Sequence, residues 1–360
     1  MRVTIDATSA LLRSAGVKGY TYHWLRHLRK QAAPGEEIRA FPLLDRWASL
    51  DHERSATSFL STVGRLAALH SANVLGAAVL DPLLRGSDIF HAGNLVRRAP
   101  SRARLTATIH DLTSWIMPEV HTRATARADQ NFAERILKRA HGLIAVSENT
   151  RQDAIRILRL KPERIRTIHS GVAEEYFDAA PQPRAKPYVL YVGTIEPRKN
   201  LGLLLDAWGA LGPDLREQFE LVIAGPQGWN SSGTMARIRR EATYLGYVLE
   251  QEMPGLVAGA ALFVYPSLYE GFGFPVVQAM AAHVAVLASR TSCLPEIAGD
   301  AAAYVDPRST SEIAGALMRL LESPEERARL GKLGRARAEG YRWERCAEKS
   351  LSFFREVTGS

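Results

Sequence analysis

The sequence predicts an α/β protein with two doubly wound parallel sheets, one in each half of the chain. Three observations carry this expectation. Apolar runs of strand length alternate with helix-length segments throughout. A stretch with three prolines, DAAPQPRAKP at 178–187, interrupts the alternation and reads as a linker. The 360 residues, 46% of them hydrophobic, suffice for two ordinary cores.

In the first half, the runs at 3–7, 88–91, 105–110, 143–147 and 166–169 read as short buried strands, with periodic helices at 20–30 and 127–139 among the segments between them. The second half restarts with PYVLYVGTI (187–195), FELVIAGP (219–226), ALFVYPS (261–267), AVLAS (285–289) and AAAYVDP (301–307). The expected organisation is one Rossmann-like domain over 1–182, a second over 183–342, and a terminal segment over 343–360.

Two cysteines, Cys293 and Cys346, offer neither a disulfide framework nor a metal spacing, which suits a reducing, cytoplasmic setting. The opening MRVTIDAT reads as a strand rather than a signal peptide. Residues 1–180 hold 26 Lys and Arg against 18 Asp and Glu, so the whole formal charge of +8 belongs to the first half. Zinc spacings, helix-turn-helix patterns and aromatic-basic signatures are missing, which argues against nucleic acid as the partner. An anionic membrane surface or a phosphate-bearing substrate explains the asymmetry at least as well as nucleic acid does, and an arginine-rich composition with no specific partner explains it too. The apolar stretch 58–84 is interrupted by Arg65, His70 and Asn73, which argues against a spanning helix. Its Phe59, Val63, Leu66 and Leu69 share one helical face, suited either to packing on its own sheet or to peripheral attachment at a membrane.

Ligands of open parallel sheets gather beyond the carboxyl ends of the strands. His91, His110 with Asp111, Ser147 with Glu148, His169 with Ser170, Thr194 and Tyr265 all follow apolar runs there. The stretch YPSLYEGFGFPVVQAMA (265–281) adds a strand-to-helix turn with Glu270, Gly271 and Gly273, and with Pro275 in the first turn of the helix. Glycines allow close backbone approach, a helix start favours anions, and Glu270 accepts hydrogen bonds from hydroxyls. A sugar nucleotide is the simplest ligand carrying both anionic and hydroxyl groups. The adjacent Arg198 and Lys199 open another predicted helix, where cations oppose the dipole unless an anion binds.

EGFGFPVVQAM, GTIEPRKN (193–200), TIHDL (108–112), AVSENTRQD (145–153) and LPEIAGDAA (294–302) together resemble the retaining glycosyltransferases of family 4. The resemblance spans nearly the whole chain and is weakest over 46–88. It implies a GT-B fold, with two Rossmann-like domains facing across a cleft, acceptor mainly on the first and donor nucleotide mainly on the second. A last helix at about 343–357 would cross back to the first domain. It also implies hexosyl transfer from a nucleotide-sugar, most similar to mannosyl transfer from GDP-mannose, to a saccharide or lipid-linked acceptor in cell-surface glycan synthesis at the inner face of the membrane. No metal or other cofactor is expected. His110 would face the donor sugar, Glu270 would bind its hydroxyls, and Arg198 with Lys199 would stabilise the leaving diphosphate. Gly193, Thr194, Gly271, Phe272, Gly273, Phe274 and Gln278 would line the donor. The segment RSAGVKGY (13–20) would form a glycine loop placing Gly16 and Gly19 near the diphosphate or acceptor.

Two positions depart from the family pattern. Gln278 stands where a second glutamate commonly accepts both ribose hydroxyls, and Thr194 stands where many members carry a phosphate-binding arginine. A UDP-sugar-dependent enzyme of the same fold, or a non-enzymatic nucleotide-binding module, fits the same residues.

Overall fold

The computed structural model describes residues 1–12, 16–44, 47, 50–182 and 184–359. It divides into two compact units, one of Met1–Gly171 with Trp343–Ser360, the other of Val172–Arg342.

The sheet of unit 1 comprises β1 (Arg2–Asp6), β2 (Glu37–Phe41), β3 (Ile89–Ala92), β4 (Arg104–Ile109), β5 (Gly142–Ala145) and β6 (Ile165–Thr167), in the order β2-β1-β3-β4-β5-β6. All its pairings are parallel. Unit 2 comprises β7 (Tyr188–Val192), β8 (Glu220–Ala224), β9 (Thr243–Gly246), β10 (Leu262–Tyr265), β11 (Val286–Ser289) and β12 (Ala302–Val305), in the order β12-β11-β10-β7-β8-β9, again parallel throughout. In each sheet the direction of winding reverses once, between β1 and β3 and between β7 and β10. These switch points open crevices beyond the strand ends where ligands of such sheets bind.

Two strands lie outside the expected runs. β2 and β9 are edge strands, and β9 is half-buried along its whole length. An edge strand covered on fewer sides does not need a continuous apolar run.

The core of unit 1 packs Phe41, Phe90, Leu105, Phe132, Ile136 and Leu143 on one face of its sheet. On the other side, helix α1 (Gly16–Gln31) lies against the C-terminal helix Trp343–Thr358. The C-terminal helix buries Trp343, Cys346, Ala347, Ser350, Leu351 and Phe354, a stripe at three- and four-residue spacing. Trp24 Nε1 donates to Ser350 Oγ at 2.9 Å, satisfying the one polar atom of a buried indole.

The proline-rich stretch packs where a free linker was expected. Gln182 N–H donates to Gly255 O at 2.9 Å, and the Arg184 guanidinium pairs with Glu220 at 2.9 Å. The division into units falls between Gly171 and Val172, upstream of the 182/183 boundary read from the prolines.

The apolar stretch forms helix α2 (Phe59–Leu75) and a shorter helix, Ala77–Leu83, broken at Gly76 with φ 67°. The expected apolar face is divided: Leu66 and Leu69 meet the core, whereas Phe59 and Val63 are 80% and 48% exposed. Among the described residues no helix is long and apolar enough to cross a membrane.

Candidate functional site

Unit 2 brings its charged residues together at the β7/β10 switch point. After β7 the chain turns through Gly193, Thr194 and Glu196 into a single 3-10 turn, Pro197–Lys199. Asn200 then adopts a left-handed conformation and donates from Nδ2 to Pro266 O and Pro307 O, at 3.1 and 2.6 Å. This ties the loop to the end of β10 and fixes the two preceding cations.

Lys199 Nζ donates to Glu270 Oε1 at 2.6 Å and to Tyr265 Oη at 2.7 Å. The Arg198 guanidinium lies 2.9 Å from Glu270 Oε2 and donates to Glu196 Oε1 at 2.7 Å and to Tyr269 O at 2.6 Å. Lys199, Glu196 and Glu270 are buried and the Arg198 side chain nearly so, so two cations and two carboxylates share one largely buried site. Burial pushes the Glu270 carboxyl up, but Arg198 and Lys199 together prevail and bring it down to about 2. Glu270 is therefore ionised. Burial, then Arg198, holds the Lys199 ammonium below the usual lysine range, although Glu270 and Glu196 favour its charged form. Each loss of solvation is met by a partner, as a buried ionic site requires.

The turn after Glu270 leads into the helix Phe274–Ala281, whose N-cap is Gly273 at φ 86° with no capping side chain. A side chain at Gly273 would adopt a strained backbone and come within 2.8 Å of Leu294 Cδ2. The Glu270 N–H donates to Ser292 Oγ at 2.9 Å, which orients the turn. Phe272 is buried against Phe274 and Tyr341, with centroids at 5.1 and 5.9 Å. Gln278 lies half-buried farther along the helix. Tyr191 stacks on Tyr265 at 5.9 Å, and its buried hydroxyl has no hydrogen-bond partner.

In unit 1 most strand-end polar residues serve structural roles, and His91 and His110 line a cavity at the β1/β3 switch point. His91 is buried, with ring nitrogens 3.0 and 2.9 Å from the Thr106 and Thr108 hydroxyls. Asp111 Oδ1 accepts from the amide and hydroxyl of Thr113, at 3.0 and 2.7 Å. Ser147 caps the helix Glu148–Leu158, and Glu148 accepts from the Thr167 hydroxyl at 2.7 Å. His169 is half-buried, and the buried Ser170 hydroxyl lacks a partner. His110, just beyond β4, meets Tyr20 edge to face at 4.9 Å, and burial pushes its imidazole down to about 4.

Gly16 and Gly19 lie within the first turns of α1 rather than in a loop, and Arg13, Ser14 and Ala15 fall outside the described residues. A side chain on Gly19 would touch His52 at 3.5 Å, so this glycine sits against the 50–52 segment. Nearby, the buried Lys18 donates to Leu12 O and Arg54 O at 2.9 and 2.5 Å. Glu196 had not stood out in the sequence. The available signal was its place two residues before Arg198 in a loop destined for burial, where the guanidinium needs an anion.

These features match a known family. The family described as Glycosyltransferase Family 4 matches residues 15–176, and Glycosyl transferases group 1 matches residues 172–337. The O-antigen chain mannosyltransferase B of Escherichia coli is 31% identical over 283 residues, covering 74% of this chain and 74% of that protein. The chain belongs to glycosyltransferase family 4. A further relative, the MMP alpha-(1->4)-mannosyltransferase of Mycolicibacterium hassiacum, is 28% identical over 231 residues, 62% of this chain and 56% of that protein. Among solved structures, sucrose-phosphate synthase from Thermosynechococcus elongatus matches with a TM-score of 0.76 at 19% identity, over 100% of this chain and 99% of its own. WaaG, a glycosyltransferase involved in lipopolysaccharide biosynthesis, matches with a TM-score of 0.67 at 14% identity, over 100% of both chains. The fold of this family 4 glycosyltransferase is accordingly GT-B.

Proposed function

We propose that this family 4 enzyme transfers mannose, with retention of configuration, from GDP-mannose to a saccharide or lipid-linked acceptor in cell-surface glycan synthesis. The observation that carries the reading is the buried Arg198–Lys199–Glu270 cluster at the β7/β10 switch point. A departing diphosphate needs cationic donors fixed before the bond breaks. Lys199 uses two of its three N–H donors on Glu270 and Tyr265, which leaves one for a phosphate oxygen. Each well-aimed donor contributes about 3 kcal/mol to the barrier in a dry site. Glu270, ionised and fixed, accepts from hydroxyls of the donor sugar. His110, neutral at pH 7, hydrogen-bonds a sugar hydroxyl without adding charge. The leaving phosphate then takes the acceptor proton as the new bond forms on the same face. Gly193, Thr194 and the turn Gly271–Phe274 supply backbone contacts, and Gln278 meets the ribose. The reaction as written uses no metal or other cofactor.

The mannosyltransferase relatives support the choice of sugar. Gln278 offers the ribose one acceptor oxygen where a carboxylate offers two, so the donor is tested directly. Turnover is measured with GDP-mannose, GDP-glucose, UDP-glucose and UDP-N-acetylglucosamine, and NMR of the product reads the anomeric configuration. GDP-mannose should turn over fastest, with an α-linked product. Faster turnover of a UDP-sugar, or a β-linked product, contradicts this assignment.

The acceptor reading extends to a membrane surface at the inner, cytoplasmic face. Phe59 and Leu60 are 80% and 81% exposed on α2, and Val63 follows one turn later. Arg65 donates to Leu43 O beside this patch, in the half of the chain that carries the net positive charge. Each basic residue near an anionic surface contributes about 1 kcal/mol. Co-sedimentation should be strong with anionic vesicles at low salt and weak at high salt; equal, negligible binding under both conditions contradicts attachment.

A further inference from the structure

The transfer described above gives roles to Lys199 and Glu270 but none to the side chain that meets Lys199 from the sheet. Tyr265 is the last residue of β10, in register with Ala288 of β11. Alternate residues of a strand share a face, so Tyr265 stands beside Phe263 with ring centroids 6.0 Å apart, and Tyr191 of β7 stacks on it at 5.9 Å. The sheet therefore holds this buried ring in place. Its one polar atom accepts from Lys199 Nζ at 2.7 Å.

A lysine ammonium ends a flexible four-carbon stem and turns about its last bond, so a single partner does not set the direction of its other N–H groups. Two partners do. Glu270 Oε1 at 2.6 Å is one, and the Tyr265 hydroxyl is the other. They differ in charge: Glu270 is an anion shared with Arg198, which lies 2.9 Å from Oε2, whereas burial and then the Glu270 charge push the Tyr265 phenol well above its ordinary value and keep it neutral. A second carboxylate in its place would fix the ammonium too, but would weaken its pull on a phosphate oxygen. The hydroxyl sets direction and leaves the charge. Tyr191 offers an internal comparison, because its hydroxyl is buried in the same stack and has no hydrogen-bond partner.

We propose that Tyr265 is a positioning residue for the transfer: with Glu270, its hydroxyl sets the Lys199 ammonium so that the third N–H meets the donor diphosphate. The inference rests on the reading above that Lys199 binds that diphosphate. Calorimetry measures the affinity ratio of GDP to guanosine, and of UDP to uridine, in the wild type, Tyr265→Phe, Lys199→Ala and the double variant. Tyr265→Phe keeps the ring and should lower the ratio about fivefold, as loss of one hydrogen bond of about 1 kcal/mol does. In the Lys199→Ala background the same change should move the ratio less than twofold, because residues acting through one contact are not additive. Tyr191→Phe, which removes the unpartnered hydroxyl, should keep the ratio within twofold. A wild-type ratio in Tyr265→Phe, a fall that persists in the Lys199→Ala background, or an equal fall in Tyr191→Phe overturns the proposal. Should Tyr265→Phe lose its fold, 3-fluorotyrosine at this position decides, since it keeps the ring and hydroxyl but weakens the oxygen as an acceptor: a fall of twofold or more supports the proposal, and a wild-type ratio overturns it. A ratio that Lys199→Ala leaves unchanged overturns the diphosphate reading and the proposal together. A fall in Lys199→Ala with none in Tyr265→Phe overturns the positioning role alone.

Discussion

Each unit presents a switch point in a six-stranded parallel sheet, and the two sites are built from opposite materials. The β7/β10 site is ionic: Arg198, Lys199, Glu196 and Glu270 cancel one another in a buried network. The β1/β3 site is nearly neutral, with two uncharged histidines, a run of hydroxyls and one carboxylate around a cavity. A fixed ionic network suits an anionic ligand, whereas a nearly neutral crevice suits an uncharged one. One topology accommodates two such different sites because the fold supplies the crevice and the strand-end residues supply the chemistry.

Breaking the ionic site should have the largest effect. Glu270→Ala leaves Arg198 and Lys199 buried without their shared anion, and removal of one partner from such a network costs about 3–5 kcal/mol. A lowered midpoint in urea checks this, and an unchanged midpoint would show that water already screens the cluster. Lys199→Ala should lower turnover at least tenfold, since losing about 1.4 kcal/mol of transition-state stabilisation does that. Wild-type turnover in a folded variant would remove Lys199 from the mechanism.

Acid should separate the two sites. The folded values of His91 and His110 lie below their ordinary 6.5, so the stability they contribute is complete above pH 6.5 and lost as pH falls towards about 3 for His91 and about 4 for His110. Asp6 works against them: its folded value is raised from 3.8, so its contribution is present below 3.8 and lost as pH rises through about 6. The two histidines shift further than the one carboxyl and prevail. Glu270 is depressed from 4.5 to about 2, so its contribution survives until pH falls below 4.5. Hydrogen exchange corrected for intrinsic rates should show unit 1 losing protection between pH 7 and pH 5 while the Glu270 region keeps its own. Equal losses in both regions would contradict the contrast.

The ionic site was the more legible of the two in the sequence. Glu270 and the Arg198–Lys199 pair stood out because glycines, a helix-start proline and adjacent cations are local signals. Glu196 did not, because its importance comes from burial beside Arg198, which depends on where β10 packs. Asp6 was hidden for the same reason, since its amide partner Gly93 is distant in sequence and meets it only through the β1/β3 pairing. Ten strands were readable as apolar runs, whereas β2 and β9, at the sheet edges, lacked that pattern. The stretch 178–187 misled for a different reason: its prolines suggested a linker, yet its backbone bonds to Gly255.

The smallest expected effect concerns Gln278. Gln278→Glu should preserve GDP binding or tighten it a fewfold, and the gain should shrink for 2′-deoxy-GDP, because a carboxylate accepts from both ribose hydroxyls. Equal changes for the two nucleotides would show that this residue does not touch the ribose.

The central claim, that the buried cluster holds the donor diphosphate, is tested most directly by the affinity ratio of GDP to guanosine in the wild-type protein and in Lys199→Ala. The account predicts GDP binding at least tenfold tighter than guanosine in the wild type, with that ratio falling tenfold in the variant while guanosine affinity holds. A ratio unchanged by the substitution would contradict it.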